Sequence, residues 1–575
     1  MEDSVKDATK CSSVQQYNMT VSWDEMIEKG LGNFGWRQFL QCILVSVAMY
    51  FDSQQLFIAI YTDDYPTWHC TNHTSTCTSH SDICKLPKSS WSWDGPSSKT
   101  IISQFGLECA SSFITALPQS SFFLGCLLGS FLLASLADTS LGRKNMIILS
   151  CLSMSIISFI IILSTNIWIY SALKFLIGFC RSSISTCCLV LLTEKVSTEW
   201  RFTVGIIEFV FFTSGYMSLP GLAYANRNSP WKYLYVWTSV PAISYSLIAY
   251  LFVTESPRWL LMQGRVKEAM AMLKGVPESG ANLTENLPEE PPQQALHQQR
   301  LSLAEETSVS PTEMSLFSTQ LCLQHNCLKR FNVSCCGGAM DVSTFSTGPC
   351  TEQSYLERSE VKKKEGVSFF QLYSSIAMLF RTSWAPKRMV AVMGLGLGIG
   401  MVYFGMPLAV GNLDYNIYLA VVFNALMEIP SCVVTYFLGN CSRKLSILAF
   451  SLGSGICCIV CVVIRNGAEG VKVWLAVASF FCACTAFNVF LIYIIELFPT
   501  CVRNTTASLA RQAVVFGCIF SPFLISAGRK NNIFSYGVFG VVIICSTLTL
   551  LSLPETRGMT LSDTMDQQEK KETSC

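Results

Sequence analysis

Six ionisable side chains lie inside long apolar runs of the sequence, namely Asp52, Lys174, Arg181, Glu208, Glu428 and Arg511. A charged group in hydrocarbon is costly unless it is paired or hydrated, so each is a candidate for a functional site. Such groups suit reversible binding of a polar solute or an ion rather than bond making. Because three are acids and three are bases, mutual neutralisation across helix interfaces is the alternative, and both interpretations stay open.

Depth in the apolar runs separates these residues. At about 1.5 Å per helical residue, Glu428 lies about 18 Å beyond Asn416, where its run begins, and therefore near the middle of a bilayer. Glu208 and Arg511 lie shallower, where they would hold substrate or form an inner gate. Lys174 lies near the outer end of its run, from which a lysine can reach the membrane surface.

Aromatic and amide side chains accompany these charges. Ring faces attract cations, and polar groups replace the water that is stripped from a solute. A substrate site is therefore predicted from Asp52, Arg181, Glu428 and Arg511, with walls from Tyr50, Phe51, Gln54, Gln55, Tyr403 and Phe404. The alternative is that these rings face lipid or fill the protein core.

A second set of charges repeats between the two halves of the chain. Each half carries an E-x3-T-x2-R pattern and an Arg-Lys pair, at Glu194–Arg201, Glu496–Arg503, Arg143–Lys144 and Arg443–Lys444. Such repeats indicate two related membrane bundles. Opposite charges at helix ends would clasp neighbouring helices in one state and release them in another; charges that only fix topology would not explain the repeated acids. The predicted gating residues are Asp138, Arg143, Lys144, Glu194, Arg201, Glu208, Glu255, Arg258, Glu496, Arg503 and Glu555.

Long hydrophobic helices are the elements that must position these side chains. Half of the residues are hydrophobic and 14% are charged, whereas roughly a quarter are charged in soluble proteins. We therefore predict an all-α integral membrane protein with 12 transmembrane helices in two pseudo-symmetric six-helix bundles. Windows of about 20 apolar residues place the spans near 39–60, 113–136, 146–165, 167–189, 203–224, 231–252, 389–411, 416–438, 445–464, 473–495, 505–526 and 532–553.

The predicted domain order follows from these spans. The order is a cytosolic N-terminus at 1–38, an N-terminal bundle at 39–252 with an outer loop at 61–112, a cytosolic loop at 253–388, a C-terminal bundle at 389–553 and a cytosolic tail at 554–575. Ser22 and Glu25 form a capping box, which predicts a short amphipathic helix in the N-terminal segment. Composition predicts disorder at about 277–364 and short helices at Arg265–Lys274 and around Phe369–Phe380. Both termini are expected in the cytosol, because the central loop has basic residues next to its spans.

Four cysteines share the outer loop with a glycosylation sequon. Cys70, Cys77, Cys84 and Cys109 lie in the same polar segment as Asn72. Two disulfides on an extracellular or lumenal face are expected, in any of three pairings. Reduced, metal-binding cysteines are the alternative, but the segment has no C-x-x-C pair and the cysteines of the central loop match no common zinc spacing. We therefore expect no metal and no cofactor.

Several motifs resemble those of a known family. The stretch ending LADTSLGRK at Lys144 resembles the signature that follows the second span in the major facilitator superfamily. TESPRWLLMQGR, ELFPTCVRN and LPETRG are similar to motifs of organic cation, carnitine and organic anion transporters, and PTWHC and ICKLPKSSWSWDG resemble the plant-type organic cation/carnitine transporters. The resemblance implies a multi-pass carrier of carnitine and other organic cations in the plasma membrane or the vacuolar membrane.

The resemblance also bears on the charge of the substrate. Carnitine and anion carriers of this family tend to have arginine at the position of Arg511, and Glu428 resembles an acid common among cation carriers. An acid and a base in one cavity suit a zwitterion, with its ammonium near Glu428 and its carboxylate near Arg511. We therefore expect a secondary-active carrier of a small organic cation or zwitterion that works by alternating access, coupled to a proton or a sodium ion.

The sequence also has to be compared with three other classes of protein. A carrier of organic anions or sugar-like solutes, or a non-transporting membrane receptor or scaffold, is the alternative function. An enzyme is not expected, because the sequence has no H-E-x-x-H, G-x-S-x-G or phosphate-loop motif. A formal net charge of +1 gives no reason to expect nucleic acid as a partner.

Overall fold

A computed structural model describes most of both predicted bundles. The described residues are 27, 31–32, 34–71, 77, 81–133, 136, 141–274, 378–412, 415–464, 469–528, 534–557, 565 and 567–569. Five sequence predictions lie outside them: the gating role of Asp138, glycosylation at Asn72, the Ser22/Glu25 cap, disorder at 277–364 and most of the helix around Phe369–Phe380.

Twelve helices in the described residues are long and apolar enough to cross a membrane, which confirms the predicted fold class. We number them as spans in chain order: Trp36–Thr62, Ser112–Leu133, Arg143–Leu163, Ile167–Glu194, Thr198–Ala225, Trp231–Phe252, Trp384–Asn412, Ile417–Phe437, Arg443–Val463, Gly470–Leu497, Thr505–Gly528 and Phe534–Ser552. Two of them contain a break: span 1 consists of helices Trp36–Phe57 and Ala59–Thr62, and span 4 consists of helices Ile167–Arg181 and Ile184–Glu194.

Spans 1–6 form the N half and spans 7–12 form the C half, and the two halves use the same packing pattern. Span 1 packs on span 5 and span 3 on span 6 in the N half, while span 7 packs on span 11 and span 9 on span 12 in the C half. Across the seam, span 2 packs on span 11 and span 5 on span 8. If each span of the N half is exchanged with the corresponding span of the C half, the contact between spans 2 and 11 becomes the contact between spans 8 and 5. A pseudo-twofold relation between the halves requires this.

Small residues let spans 2 and 4 approach closely enough to fix the groups they carry. A Cβ atom on Gly178 would lie 2.0 Å from the carbonyl oxygen of Phe122, and one on Gly125 would lie 2.1 Å from that of Phe175. Glycine at both positions removes these clashes, as is common where membrane helices cross. The close crossing holds Phe122 beside Arg181, whose guanidinium lies 5.6 Å from the ring centroid.

The side of the bundle that carries the outer loop is called the disulfide side. In this loop, strand β1 (Trp68–Cys70) pairs antiparallel with strand β2 (Trp91–Trp93). The described part of the loop also has short helices at Ile83–Lys85, Lys88–Ser90 and Ile101–Gln104. Of the three pairings that the sequence left open, the structure has Cys70 bonded to Cys77 and Cys84 to Cys109.

The opposite side is called the charge-cluster side, because the repeated charges lie there. Helices Pro257–Met262 and Val266–Lys274 follow span 6 on this side, and the second confirms the helix predicted at Arg265–Lys274. Ser256 begins the first helix by accepting a hydrogen bond from the amide of Trp259 at 3.3 Å. Ile27 and Leu31 of the N-terminal segment pack against Leu261 and Met270, so apolar contacts attach this segment to the two helices.

Candidate functional site

Glu428 lies at the seam between the halves. It is the twelfth residue of the helix Ile417–Phe437 and is fully buried. Thr213 of span 5 donates a hydrogen bond to Oε2 at 3.0 Å, and Tyr403 of span 7 donates to Oε1 at 3.3 Å. Both donors are neutral hydroxyl groups, and the first belongs to the other half of the molecule. The carboxylate therefore has two hydrogen bonds, and among the described residues it forms no ion pair.

Aromatic rings enclose the Tyr403 side of this carboxylate. The Tyr403 ring stacks on Phe487 at a centroid distance of 4.6 Å and lies 5.9 Å from Phe480. Phe404 contacts Tyr403 edge to face at 4.8 Å and meets Phe123 of the N half at 5.9 Å. A buried acid beside ring faces is the combination that recognises an ammonium group.

Arg511 is the seventh residue of span 11, near the charge-cluster side, and faces the N half. Its Nη1 donates to Thr186 Oγ1 of span 4 at 3.3 Å, and both side chains are exposed although they lie within the spans. Glu208 of span 5 is buried and interacts electrostatically with Arg511. Exposed polar groups that face each other across the seam line a water-accessible gap between the halves.

Asp52 and Arg181 form a two-pronged ion pair within the N half. Arg181 donates from Nε to Asp52 Oδ1 at 2.8 Å and from Nη2 to Oδ2 at 2.5 Å. Asp52 is fully buried, and the side chain of Arg181 is 14% exposed. A bidentate pair is the strong geometry for these two groups. In this state each group neutralises the other, which was the alternative weighed from the sequence.

Lys174 corrects one expectation from the sequence. A position near the outer end of span 4 suggested that its ammonium reaches the membrane surface, but the residue is only 1% exposed. Its Nζ lies between 5.5 and 5.8 Å from the ring centroids of Tyr235, Tyr170 and Phe122. The predicted depth of Lys174 along the span agrees with the structure. Its side chain does not reach lipid or the membrane surface, because it lies on the face of the helix that points into the N half.

The remaining wall residues lie along span 1. Gln54 is 2% exposed and donates to Ser218 Oγ at 2.7 Å, whereas Gln55 donates to Thr238 Oγ1 at 3.2 Å. Phe51 packs against Tyr245, 5.5 Å away. Tyr50 is half-buried and contacts the ring of Phe51. Gln55 and Phe51 thus serve contacts inside the N half.

The repeated charges form matching clusters in the two halves. Arg143 pairs with Glu194 at 3.5 Å in the N half, and Arg443 pairs with Glu496 at 3.1 Å in the C half. In both cases the base begins the third span of its half and the acid lies at the end of the fourth. The base and acid are therefore separated along the chain but adjacent in space, and each pair joins two neighbouring helices.

A second acid completes each cluster. Glu255 accepts from the amide of Lys144 at 3.1 Å, and Glu555 accepts from the amide of Lys444 at 3.3 Å. Gly142 has φ of +82°, and a Cβ on it would lie 2.5 Å from Glu255 Oε2, so glycine is required there. The three arginines Arg201, Arg258 and Arg503 lie on the same charge-cluster side.

On the charge-cluster side, Glu555 and Lys195 lie just beyond the ends of their spans and have shifted pKa values. Burial alone would raise the pKa of Glu555, but hydrogen bonds from Ser442 and from three backbone amides outweigh it and hold the pKa below its ordinary value. Burial lowers the pKa of Lys195 to about 7, against the opposing effect of Glu255. Lys195 Nζ donates to Gln41 at 2.9 Å and to the carbonyl of Thr254 at 2.6 Å, so it ties the ends of spans 1, 4 and 6 together.

Contacts between the halves concentrate toward the disulfide side. Tyr61 at the end of span 1 stacks on Tyr418 at the start of span 8, with ring centroids 5.7 Å apart. Tyr224 contacts the same ring at 5.5 Å, and Ser120 Oγ donates to the carbonyl of Ile519 at 2.9 Å. These contacts close the seam on the disulfide side, while Arg511 and Thr186 are exposed on the other side.

Sequence reasoning missed the neutral partners of the site. Thr213, Thr186, Phe480 and Phe487 contact or flank the predicted charges, yet a threonine or a phenylalanine in an apolar helix carries no distinctive signal. Asn488 was also missed, although an amide in a long apolar run is an unusual signal; it donates to Ser431 Oγ at 3.4 Å, one turn from Glu428. Among the described residues, no group of three His, Cys, Asp or Glu side chains is arranged to hold a metal ion.

Comparisons with known proteins agree with this architecture. The sequence model of the "Sugar (and other) transporter" family matches residues 61–348. "Organic cation/carnitine transporter 2" of Arabidopsis thaliana is 44% identical over 557 residues, which cover 96% of this chain and 94% of the relative. "Organic cation/carnitine transporter 3" of the same plant is 43% identical over 555 residues, with the same coverage.

More distant similarity extends to animal proteins and to solved structures. "Solute carrier family 22 member 21" of Mus musculus is 25% identical over 475 residues, which cover 82% of this chain and 72% of the relative. The inward open structure of the xylose transporter XylE from E. coli superposes with a TM-score of 0.55 at 14% identity, over 91% of this chain and 97% of that one. At this identity the structural likeness shows the fold alone.

Proposed function

Because this chain belongs to the organic cation/carnitine transporter family of the major facilitator superfamily, we propose that it carries carnitine and other small organic cations or zwitterions by alternating access. A transporter needs a polar site at the seam between its halves, near the middle of the membrane. Glu428, Tyr403 and Arg511 supply such groups, and each faces or contacts the seam.

The observation that carries the proposal is the environment of Glu428. A fully buried carboxylate with two hydroxyl donors and, among the described residues, no ion pair lacks a compensating charge. A cation that enters beside the carboxylate would supply this charge, and the rings of Tyr403, Phe404 and Phe487 would hold its methyl groups. The proposed preference for cations follows from this acid and these rings.

Arg511 extends the site to zwitterions. It lies closer to the charge-cluster side than Glu428, on a span of the same half, and its guanidinium is exposed to the gap. A carnitine-like solute would place its ammonium at Glu428 and its carboxylate at Arg511, where a guanidinium binds a carboxylate with two hydrogen bonds. Asp52, Arg181, Tyr50 and Gln54 would line the N-half side of the path.

Alternating access would use the two ends of the seam in turn. The ring contacts of Tyr61 and Tyr418 close the disulfide side in this state. On the other side, Glu208 of the N half and Arg511 of the C half interact electrostatically without a direct ion pair. We propose that they approach when that side closes, and that Arg143–Glu194 and Arg443–Glu496 keep the moving helices of each half together.

The remaining parts of the proposal concern orientation and coupling. The two disulfides suit an oxidising compartment, so the disulfide side would be extracellular or lumenal and both termini cytosolic. The plasma membrane and the vacuolar membrane both fit this orientation. Coupling to a proton or to sodium would make the transport secondary-active, so the partners would be the solute, the coupling ion and the lipid bilayer.

Uptake measurements test the substrate. Cells that express the protein are given radiolabelled carnitine or tetraethylammonium at two pH values and with sodium replaced. Wild type is expected to take up both. Arg511→Ala removes a charged hydrogen-bonding group worth about 1.5 to 3 kcal/mol, so the KM for carnitine should rise at least about tenfold while the KM for tetraethylammonium is unchanged.

The matched control is Arg265→Ala, which removes an exposed arginine that pairs with Glu268 outside the spans, on the same side as Arg511. It is expected to leave both KM values unchanged at equal surface expression. An equal rise in the KM values for carnitine and tetraethylammonium in Arg511→Ala would contradict the assignment of Arg511 to the carboxylate. Uptake of neither solute by wild type would favour an anion carrier or a receptor.

A further inference from the structure

Asn488, a polar residue within span 10, leaves one end of its amide group unused. The residue is half-buried, and its Nδ2 donates to Ser431 Oγ at 3.4 Å and to Cys432 Sγ at 3.7 Å. The first distance exceeds the usual range of about 2.7 to 3.2 Å for a hydrogen bond between nitrogen and oxygen, so this contact is weak. Among the described residues, no group donates to Asn488 Oδ1. The amide group is therefore available to a ligand.

Asn488 approaches the side of span 8 that carries Glu428. Ser431 and Cys432 lie three and four residues after Glu428, which places them one turn away on the same face of the helix. Cys432 also lies close enough to Glu428 to interact with it electrostatically. The exposed apolar residues of span 8 lie on the opposite face, namely Leu426, Ile429 and Val433. Because Glu428 contacts Thr213 of the other half, Asn488 lies on the seam side of span 8 and not on its lipid side.

The depth of Asn488 in the membrane falls between those of Glu428 and Arg511. Thr213 of span 5 donates to Glu428. Glu208, which interacts electrostatically with Arg511, lies five positions earlier on the same span, so the acid and the guanidinium differ in depth by about 7.5 Å. The partners of Asn488 on span 8 lie about 4.5 to 6 Å beyond Glu428 in the same direction. A solute that joins Glu428 to Arg511 therefore passes the level of Asn488.

A hydroxyl group is the feature of a carnitine-like solute that fits this position. Carnitine carries a hydroxyl on the carbon chain between its trimethylammonium and carboxylate groups. When these two ends lie at Glu428 and Arg511, the hydroxyl lies at the depth of Asn488. A hydroxyl can donate to the amide oxygen and accept from the amide nitrogen. We propose that Asn488 binds the hydroxyl group of the substrate, so that the site selects hydroxylated zwitterions. This role rests on the proposed function and adds a third contact to it.

The third contact also makes the site sensitive to the handedness of the solute. The carbon atom that carries the hydroxyl group is the stereocentre of carnitine. The ammonium and carboxylate groups are the same in both mirror images, so contacts at Glu428 and Arg511 alone bind the two equally. Asn488 belongs to span 10, whereas Glu428 and Arg511 belong to spans 8 and 11, so the hydroxyl is held from a third helix. Only one enantiomer directs its hydroxyl toward that helix while its two ends stay in place.

A second amide, that of Asn424, lies on the same face of span 8 and provides a comparison. Asn424 is 3% exposed, and no residue in the described part of the chain hydrogen-bonds to its buried Oδ1. It lies four positions before Glu428, toward the disulfide side, where the contact of Tyr61 with Tyr418 closes the seam. A solute that extends from Glu428 to Arg511 points away from it. Asn424 is therefore the matched position, at which the same substitution should not affect recognition of the hydroxyl group.

Competition for uptake tests the contact. Cells that express the full chain take up radiolabelled carnitine in the presence of unlabelled L-carnitine, D-carnitine or γ-butyrobetaine, which keeps both charged ends and lacks the hydroxyl group. Wild type is expected to bind carnitine about two- to tenfold more tightly than γ-butyrobetaine, the range for one neutral hydrogen bond, and to prefer one enantiomer. Asn488→Leu has nearly the same shape and no polar atom in its side chain. It should lose both preferences and keep its affinity for γ-butyrobetaine.

Three further variants separate recognition of the hydroxyl from a structural role. Asn424→Leu makes the same change on the far side of Glu428, and Ser431→Ala removes a hydrogen-bond partner of Asn488 but not its amide group. Both should keep the two preferences. Asn488→Ala should lose them as Asn488→Leu does, so the result does not depend on how leucine fits. A ratio of two inhibition constants does not depend on the amount of protein in the membrane, so poor expression does not change the result.

The outcomes also separate this contact from the transport function. Asn488 variants that retain both preferences, or that lose affinity for carnitine and γ-butyrobetaine alike, overturn the proposal. Loss of the preferences in Asn424→Leu but not in Asn488→Leu overturns it in favour of Asn424. Wild type that takes up carnitine without preferring it to γ-butyrobetaine refutes the hydroxyl contact and leaves the proposed function in place. Uptake of neither carnitine nor tetraethylammonium by wild type refutes the function, and with it the role of Asn488.

Discussion

Replacing Glu428 by glutamine tests the cation site at the position where the structure makes the sharpest statement. Glutamine has nearly the same shape as glutamate and lacks only the charge. The side chain is fully buried, and both of its hydrogen bonds come from hydroxyl groups, Thr213 at 3.0 Å and Tyr403 at 3.3 Å. A glutamine oxygen can accept from one hydroxyl, and the amide group can donate to the oxygen of the other.

The expected magnitudes differ for binding and for folding. Tetraethylammonium has no N–H group, so its attraction to the carboxylate is coulombic. Two unit charges about 6 Å apart attract each other by about 2.8 kcal/mol at an effective dielectric constant of about 20, so loss of the charge should raise the KM for tetraethylammonium about 10 to 100-fold. Stability should change by less than about 1.5 kcal/mol, since neutral hydrogen bonds replace charged ones and no buried charge is left without a partner. Weaker cation uptake with an unchanged unfolding midpoint is thus expected.

The assay compares uptake kinetics with the unfolding midpoint of the same purified variant. Glu268→Gln is the matched control, because Glu268 lies on the exposed face of helix Val266–Lys274 and pairs with Arg265 outside the spans. It should leave the KM unchanged. A KM for tetraethylammonium within twofold of wild type in Glu428→Gln, at normal expression, would refute the role of this carboxylate.

Three further predictions follow from other contacts. Asp52→Asn leaves the guanidinium of Arg181, a side chain that is only 14% exposed, without its counter-charge, so stability should fall by about 3 to 5 kcal/mol. Asp52→Asn combined with Arg181→Gln should regain part of this loss, and additive losses in the thermal midpoint would contradict the prediction. Gly178→Ala places a Cβ 2.0 Å from the carbonyl oxygen of Phe122, so spans 2 and 4 are forced apart and the free energy of unfolding should fall by about 1 to 3 kcal/mol. Gly221→Ala, which has open space around its Cβ, should leave the free energy of unfolding unchanged. The pKa of Glu555 is lower in the folded protein than its ordinary value of 4.5, so the ionised group stabilises the fold above pH 4.5, and this stabilisation is lost as pH falls through the folded pKa. The difference in thermal unfolding midpoint between wild type and Glu555→Gln should therefore shrink below pH 4.5. A difference that grows below that pH would refute the prediction.

The sequence was sufficient to predict the number and order of the spans, for a physical reason. A membrane helix must satisfy its own backbone and present apolar side chains to lipid, so each span is recorded locally in the hydropathy of about 20 residues. Repetition of the charges predicted related halves, because the same cluster recurs at the ends of corresponding spans. The structure gives the pattern a cause, since Arg143–Glu194 and Arg443–Glu496 join equivalent helices.

The sequence was not sufficient to predict partners that are distant along the chain. Glu194 was considered with Arg201, seven positions later, but the structure pairs it with Arg143, which begins the preceding span. The sequence left open whether Lys174 reaches the membrane surface, and the structure buries it in the N half, because depth along a helix does not tell which face meets the protein. The disulfide pairing, and the neutral donors Thr213 and Thr186, likewise depend on tertiary packing that local composition does not record.

Thr213 connects the binding site to the closure of the seam. Its hydroxyl belongs to the N half, while the carboxylate that accepts its hydrogen bond belongs to the C half. A cation that binds Glu428 competes for the same carboxylate oxygens, and so weakens one of the contacts that hold the halves together. Binding and closure therefore share an acceptor, which is a direct physical route by which a solute shifts the balance between conformations. Thr213→Val removes the competing donor, so the open state should bind cations more tightly and the KM for tetraethylammonium should fall. A KM for tetraethylammonium higher than that of wild type would contradict this coupling.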